Sequence, residues 1–196
     1  MSFINHNAKK IHCKIVYYGP SLGGKTTNIQ WVHAKASGKE KSELQSLPTD
    51  LERTLFFDFV PFNLGEVRGY ETRFHLYSVP GQVVYDISRK LILKGLDGIV
   101  FVADSQAERM EENMQSLENL KANLEMQGYD FDNVPIVFQY NKRDLENSLP
   151  VAELSQKLNH INAPEFEAEA KNGEGVFESL NSISETILDT LKSGKL

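Results

Sequence analysis

The sequence predicts an α/β fold, a mostly parallel sheet with one antiparallel edge strand and helices on both faces. Three observations carry this expectation. Short apolar, β-rich runs alternate with segments of helical periodicity along the 196 residues. One run, Ile15-Val16-Tyr17-Tyr18, breaks into a glycine-rich turn and then a helix. The second and third runs are joined through the short stretch Asn63-Leu64-Gly65-Glu66-Val67-Arg68-Gly69, which suits an antiparallel hairpin at one edge of the sheet.

Taken in order, strands are expected over His12–Tyr18, Thr54–Val60, Glu71–Val79, Gly98–Ala103, Ile136–Tyr140 and Phe166–Ala170. Helices are expected over Thr26–Lys35, Val84–Lys94, Arg109–Gln127, Val151–Leu158 and Val176–Lys192. The third helix shows Met110, Met114, Leu117, Leu120 and Leu124 at helical spacing, read as a core face. Ser105 and Glu108 form a possible capping box ahead of it. The fifth repeats the stripe in Val176, Leu180, Ile183, Ile187 and Leu191. Ser37–Glu52 is polar and poorly periodic, so a loop is expected there. No repeat, low-complexity tract or linker divides the chain, and residues 1–196 are expected to form one domain.

Composition narrows the function. With 40% hydrophobic and 24% charged residues the chain reads as an ordinary globular protein, and its formal charge of -6 argues against a nucleic-acid partner. Cys13, alone of its kind, can form no internal disulfide and is expected to pack in the core of a cytoplasmic protein. No apolar stretch approaches the roughly 18 residues that span a bilayer. Ser2 stands where N-myristoylation needs glycine, and the last four residues include no cysteine to prenylate. Direct membrane insertion is not expected, so any membrane visit would come through partners. His6, His12, His33, His75 and His160 lack metal-ligand spacing, and Trp31 is read as packing.

The turn after the first strand, Gly19-Pro20-Ser21-Leu22-Gly23-Gly24-Lys25-Thr26, is a complete phosphate-binding loop. Its N–H groups and the helix N-terminus near Thr27 converge on one point, which favours an anion. Lys25 supplies a positive charge for the terminal phosphates, and the Thr26 hydroxyl is placed to ligate Mg²⁺. After the strand Ile136–Tyr140 comes Asn141-Lys142-Arg143-Asp144. A carboxylate there accepts from guanine N1–H and the exocyclic amine, a donor pair adenine lacks. Asn141 is expected to tie this loop to the phosphate loop, and the stem of Lys142 to cover a base plane. At Ala168-Glu169-Ala170-Lys171 a backbone N–H, at Ala170, can reach guanine O6 while Lys171 packs over the other ring face; alone, this signal is weak. The alternative for each segment is a polar turn without a ligand, and their order along the chain weighs against it.

That order resembles the Ras-like small GTPases, a branch of the P-loop NTPases, over nearly the whole chain. The blocks Glu52-Arg53-Thr54-Leu55-Phe56-Phe57-Asp58-Phe59, Thr72-Arg73-Phe74-His75-Leu76-Tyr77 and Val79-Pro80-Gly81-Gln82-Val83 are similar to the gliding-motility and polarity GTPases of bacteria. So are Arg89-Lys90-Leu91-Ile92-Leu93 and Asp97-Gly98-Ile99-Val100-Phe101-Val102-Ala103-Asp104-Ser105. The resemblance implies a GTP/GDP switch with Mg²⁺, effectors in polarity or motility, a roadblock-type activating protein, and recruitment to a cell pole. It implies that Gly81 offers its N–H to the γ-phosphate, and that Gln82 orients the attacking water. It implies that Thr54 reaches Mg²⁺ and that Arg53 is an arginine finger within the chain; from the sequence by itself, a solvated loop cation beside Glu52 is the stronger reading of Arg53.

Two departures stand out. That group usually carries glycine where Ser21 stands, and a side chain there is expected to crowd Arg53 and Gln82 and slow hydrolysis. Most small GTPases have an aspartate where Ser78 stands, so here a hydroxyl replaces a charge near Mg²⁺. The competing functions are a scaffold that holds GTP without turnover, supported only by Ser21, and a phosphotransferase, which would need a second substrate site and an arginine-rich lid.

Overall fold

The computed structural model describes residues 3–6, 8–36, 42–48, 53–59, 66–67, 69–80 and 86–193. Among the described residues nine strands form one sheet: β1 (Phe3–Asn5), β2 (Lys10–Tyr18), β3 (Gln45–Pro48), β4 (Arg53–Phe59), β5 (Glu66–Val67), β6 (Tyr70–Ser78), β7 (Gly98–Asp104), β8 (Ile136–Asn141) and β9 (Glu165–Glu167). The helices are α1 (Lys25–Lys35), α2 (Asp86–Leu93), α3 (Met110–Glu125), α4 (Val151–Leu158) and α5 (Val176–Ser193).

The sheet runs β3-β4-β6-β2-β7-β8-β9, with β6, β2, β7, β8 and β9 all parallel. The expected hairpin is present: β4 pairs antiparallel with β6, Phe59 opposite Phe74 and Phe56 opposite Tyr77. Three short strands were not expected. β1 pairs antiparallel with Lys10–His12 of β2 on the edge that β7 occupies further along. β5 folds back on the start of β6. Gln45–Pro48, inside the stretch read as a loop, pairs antiparallel with β4 and becomes the sheet edge. Such edge strands need only backbone pairing and no buried face, so hydrophobic periodicity does not announce them.

β2 shows why the sheet is covered on both sides. Ile11, Cys13, Ile15 and Tyr17 join one buried cluster with Ile29 and Val32 of α1 and Leu180, Ile183 and Ile187 of α5. Val16 and Tyr18 point the other way, into a cluster with Leu93 of α2, Leu117, Leu120 and Leu124 of α3, and Leu154 of α4. Alternate residues of one strand therefore serve two cores, as a central parallel strand requires. Cys13 is fully buried in the first of these clusters, as expected.

Two readings of α3 need correction. Met114 is 46% exposed, and the buried stripe instead includes Asn113 and Asn123. Polar residues occupy core-facing positions because they have partners: Asn113 accepts from the Asp104 N–H at 2.9 Å and donates to the Asp104 carbonyl at 2.8 Å. The capping box does not form either. A 3-10 turn, Ala107–Arg109, precedes α3, and Glu108 accepts from Asn147 instead of reaching back to Ser105. The Ser105 hydroxyl is buried with no hydrogen-bond partner among the described residues.

β2 lies where the winding of the sheet reverses, between β6 on one side and β7 on the other. Ligands of open α/β sheets sit beyond the carboxyl ends of strands at such a point. The loops leaving β2, β7, β8 and β9 all emerge at that edge.

Candidate nucleotide site

The loop after β2 turns sharply because Gly24 adopts φ 104° and hands the chain into α1. A Cβ there would collide with the Asn141 side chain, so glycine is required on two counts. The N-terminus of α1 has no side-chain cap and no acidic residue in its first turn. Its N–H groups and the positive end of its dipole are thus left for an anion. Thr26 and Thr27 stand in that first turn, half-buried. Lys25 is 5% exposed, its ammonium donating to the carbonyls of Gly19 at 3.0 Å and Pro20 at 2.5 Å.

Further carbonyls of the loop are held by named groups. Gly23 donates its N–H to the Pro20 carbonyl at 3.3 Å, and the Gly23 carbonyl accepts from Asn141 Nδ2 at 2.8 Å. The Gly24 carbonyl accepts from Asn28 Nδ2 at 3.0 Å. Asn28 and Gln139 then exchange two side-chain hydrogen bonds, 2.8 and 2.9 Å long, and Gln139 continues to Ser179 Oγ at 3.0 Å. This buried amide pair ties α1, β8 and α5 together beneath the loop. Periodicity could not reveal Asn28 or Gln139, because each is a polar residue in a run that otherwise reads as core.

Ser21 occupies the third loop position with an ordinary backbone; the left-handed residue is Leu22, at φ 59°, whose side chain is 80% exposed. The Ser21 carbonyl accepts from Arg109 Nη2 at 2.9 Å, a contact the sequence did not suggest.

The expected link from Asn141 to the phosphate loop is therefore present. The same side chain does more: its Oδ1 accepts the Ala170 N–H at 2.9 Å. This explains why β9 ends at Glu167 and not at Ala170 as expected. One further backbone bond, Ala168 N–H to the Tyr140 carbonyl, extends the pairing with β8. The Ala170 N–H, expected to reach guanine O6, is instead taken by the Asn141 side chain, and the chain turns with Asn172 and Gly173 both donating to the Glu169 carbonyl. Lys171 is exposed at this turn.

Lys142 takes a left-handed conformation, φ 68°, and its ammonium lies 2.6 Å from Oδ2 of the buried Asp104. Its carbonyl accepts from the Leu145 N–H and the Ser148 hydroxyl, which closes a turn on which Asp144 is exposed. Arg143 is fastened elsewhere, to Glu167 at 2.9 Å and the Leu149 carbonyl at 2.6 Å. Ser78 is fully buried at the end of β6, opposite Tyr17 in register.

The four residues expected to act on the γ-phosphate are less fully placed. Arg53 and Thr54 begin β4, paired with Pro48 and Leu47, but only their backbone is described. Gly81 and Gln82 lie outside the described residues. Among the described residues no three His, Cys, Asp or Glu cluster to hold a metal, and no helix is long and apolar enough to cross a membrane.

The groups with shifted titration lie on the strands, not in these loops. Burial raises the Tyr17 and Tyr140 hydroxyls, and Tyr140 donates to Glu165 at 2.8 Å. Burial alone would raise Glu165, but hydrogen bonds from Asn159, Ser155 and Tyr140 outweigh it and hold the carboxyl low. Burial lowers Lys14, with Asp97 opposing.

Comparison with known proteins agrees with this layout. Residues 2–187 match the ADP-ribosylation factor family. The mutual gliding-motility protein MglA of Myxococcus xanthus (strain DK1622) is 60% identical over 194 residues, 99% of this chain and 100% of that protein. ADP-ribosylation factor-like protein 4A of Homo sapiens is 35% identical over 124 residues, 56% of this chain and 58% of that protein. ADP-ribosylation factor-like protein 4C of Homo sapiens is 34% identical over 128 residues, covering 62% of this chain and 64% of that protein.

Proposed function

The chain belongs to the ADP-ribosylation factor family of Ras-like small GTPases, and from that premise we propose how its own residues bind and use the nucleotide. It is a GTP/GDP switch that hydrolyses GTP; a non-hydrolysing scaffold is not favoured, and a phosphotransferase has no support in the family. The observation that carries the residue assignment is Asn141, whose amide joins Gly23 of the phosphate loop to Ala170 of the last loop. In this reading residues 1–196 act as one nucleotide-binding domain. Gly19, Ser21, Leu22, Gly23, Gly24, Lys25, Thr26 and Thr27 hold the phosphates. Lys142, Asp144 and Lys171 take the base, and the Ala170 N–H reaches guanine O6 only by leaving the Asn141 oxygen.

Mg²⁺ fits a donor set of hydroxyls and phosphate oxygens, since it tolerates few protein ligands and keeps its waters. Thr26 and Thr54 would supply those hydroxyls, and the ion would neutralise charge on the β- and γ-phosphates. Gln82 orients water for attack on the γ-phosphorus, the bond to the β–γ bridging oxygen breaks, and Arg53 offsets charge on the transferring group. GDP and phosphate leave. Gly81 and Thr54 sense the γ-phosphate, so their segments present different surfaces in the two nucleotide states.

Similarity to the gliding-motility protein MglA of Myxococcus xanthus supports a role in motility, and our reading adds control of polarity, effectors that read the GTP form, a roadblock-type activator and pole recruitment through partners. The test is to extract the nucleotide from purified protein and follow it with time by chromatography. Guanine nucleotide that converts from GTP to GDP is expected; adenine nucleotide would overturn the base assignment. Persistent GTP, even with an activator, would overturn the catalytic one.

A further inference from the structure

A phosphate loop binds an anion only if its N–H groups face inward, so its carbonyls must be held facing away. Within this loop, Lys25 holds the carbonyls of Gly19 and Pro20, Asn141 that of Gly23, and Asn28 that of Gly24. One further clamp comes from outside every recognised motif. Arg109, at the entrance to α3, donates through Nη2 to the Ser21 carbonyl at 2.9 Å, across 88 positions of sequence.

Its location has a cost that needs explaining. A cation at a helix N-terminus opposes the helix dipole. Three anchors compensate for it. Besides the Ser21 carbonyl, Nη1 meets Glu112 at 2.7 Å and Nε stands 3.8 Å from Oδ2 of Asp104. That same Oδ2 receives the Lys142 ammonium at 2.6 Å. Asp104 is fully buried, so its charge is screened little by solvent and acts on both cations at once. Phosphate loop and base loop are thus joined twice, once by the Asn141 amide and once by the ionic chain Ser21–Arg109–Asp104–Lys142.

We propose that Arg109 is a positioning residue for nucleotide retention: it fixes the crest of the phosphate loop and couples it to the base loop through Asp104. The proposal rests on the reading of Gly19–Thr26 and Asn141–Asp144 as one guanine-nucleotide site. Only a guanidinium presents three separated N–H directions in one plane, so lysine replaces the function in part.

The experiment measures release of fluorescent methylanthraniloyl-GDP from the full chain, chased with excess GDP, for the parent, R109A and R109K. Thermal unfolding and the ³¹P resonance of the bound β-phosphate are recorded alongside. Release at least fivefold faster in R109A is expected, with R109K intermediate and the β-phosphate resonance displaced. A merely structural arginine would lower thermal stability and leave the resonance where it was. R109A releasing within twofold of the parent overturns the proposal. If R109A does not fold, R109K decides: parental release overturns the proposal, and release faster than parental with a displaced resonance supports it. A parent chain that shows no saturable binding of the labelled GDP overturns the underlying site reading instead, which separates the two failures.

Discussion

The Asn141 side-chain amide donates to the Gly23 carbonyl over 2.8 Å, although the residues lie 118 positions apart. With its oxygen it accepts the Ala170 N–H at 2.9 Å, so one planar group sets the distance between the phosphate loop and the last loop. Asn141→Ala leaves two buried backbone groups unpaired, at about 1–3 kcal/mol each. Guanine-nucleotide affinity is expected to fall at least about tenfold, since each 1.4 kcal/mol is a factor of ten. Titration calorimetry with GDP measures this; unaltered affinity would remove the tie from the binding argument.

Asp144 sits exposed on a turn whose shape is fixed by bonds to the Lys142 carbonyl, so its carboxylate is free to meet a base. Guanine offers it two donors; xanthine offers one donor and one carbonyl. Asp144→Asn replaces two acceptors with one acceptor and one donor. Preference is expected to move from guanine to xanthine nucleotides by at least about a hundredfold in the affinity ratio, on the scale of mismatched polar groups in a site. Competition between GDP and xanthosine diphosphate measures the ratio, and a ratio that stays put rejects the assignment.

The two central motifs were legible because their chemistry demands particular residues in a contiguous run: Gly24 for a left-handed turn against Asn141, Lys25 for charge, Asn141 for the loop contact. The parallel strands were legible because burial on both faces writes long apolar runs. What escaped was polar and long-range. Asn113 and Asn123 look like surface residues until their partners are seen, and Met114, which fits the stripe, faces solvent. Arg109 reads as a helix-end cation; only the fold brings it to Ser21. Gln45–Pro48 is a strand by virtue of β4 beside it, not by any pattern of its own.

Arg53 and Gln82 carry the chemical step in the proposed mechanism. Arg53→Ala is expected to lower single-turnover GTP hydrolysis about 10³-fold, the lower range for loss of an arginine finger, with GTP affinity held within a few-fold. Gln82→Leu is expected to act in the same direction. Rapid-quench measurement of phosphate release checks both; an Arg53→Ala rate near the parent's would return this residue to the status of a loop cation.

Gln139 and Asn28 exchange two hydrogen bonds in a site with no solvent access. Gln139→Leu keeps the volume but strips Asn28 Oδ1 and Ser179 Oγ of a donor. A loss of about 1–3 kcal/mol is expected, read as a lower denaturant midpoint at constant slope. Adding Asn28→Leu should cost less than the sum of the single changes, because both partners are then apolar. Additive losses would mean that the pair does not act as a unit.

Ser21 brings the geometry to bear on rate. Its backbone needs no left-handed angle, so a side chain is tolerated without strain, and its carbonyl is fixed by Arg109 at 2.9 Å. The Cα from which the hydroxymethyl group projects is therefore held in place by the loop. If Arg53 and Gln82 approach the γ-phosphate over this crest, a fixed obstacle there opposes their alignment, and misplacement of that kind is steep in rate. Removing the side chain leaves the backbone carbonyl and its bond to Arg109 available, so phosphate binding should be conserved. Ser21→Gly is expected to raise single-turnover GTP hydrolysis at least about threefold, less than 1 kcal/mol of barrier, with GDP release unchanged within about twofold. Equal hydrolysis rates would show that the side chain does not obstruct the catalytic pair. Faster GDP release would show instead that glycine loosens the crest that Arg109 holds.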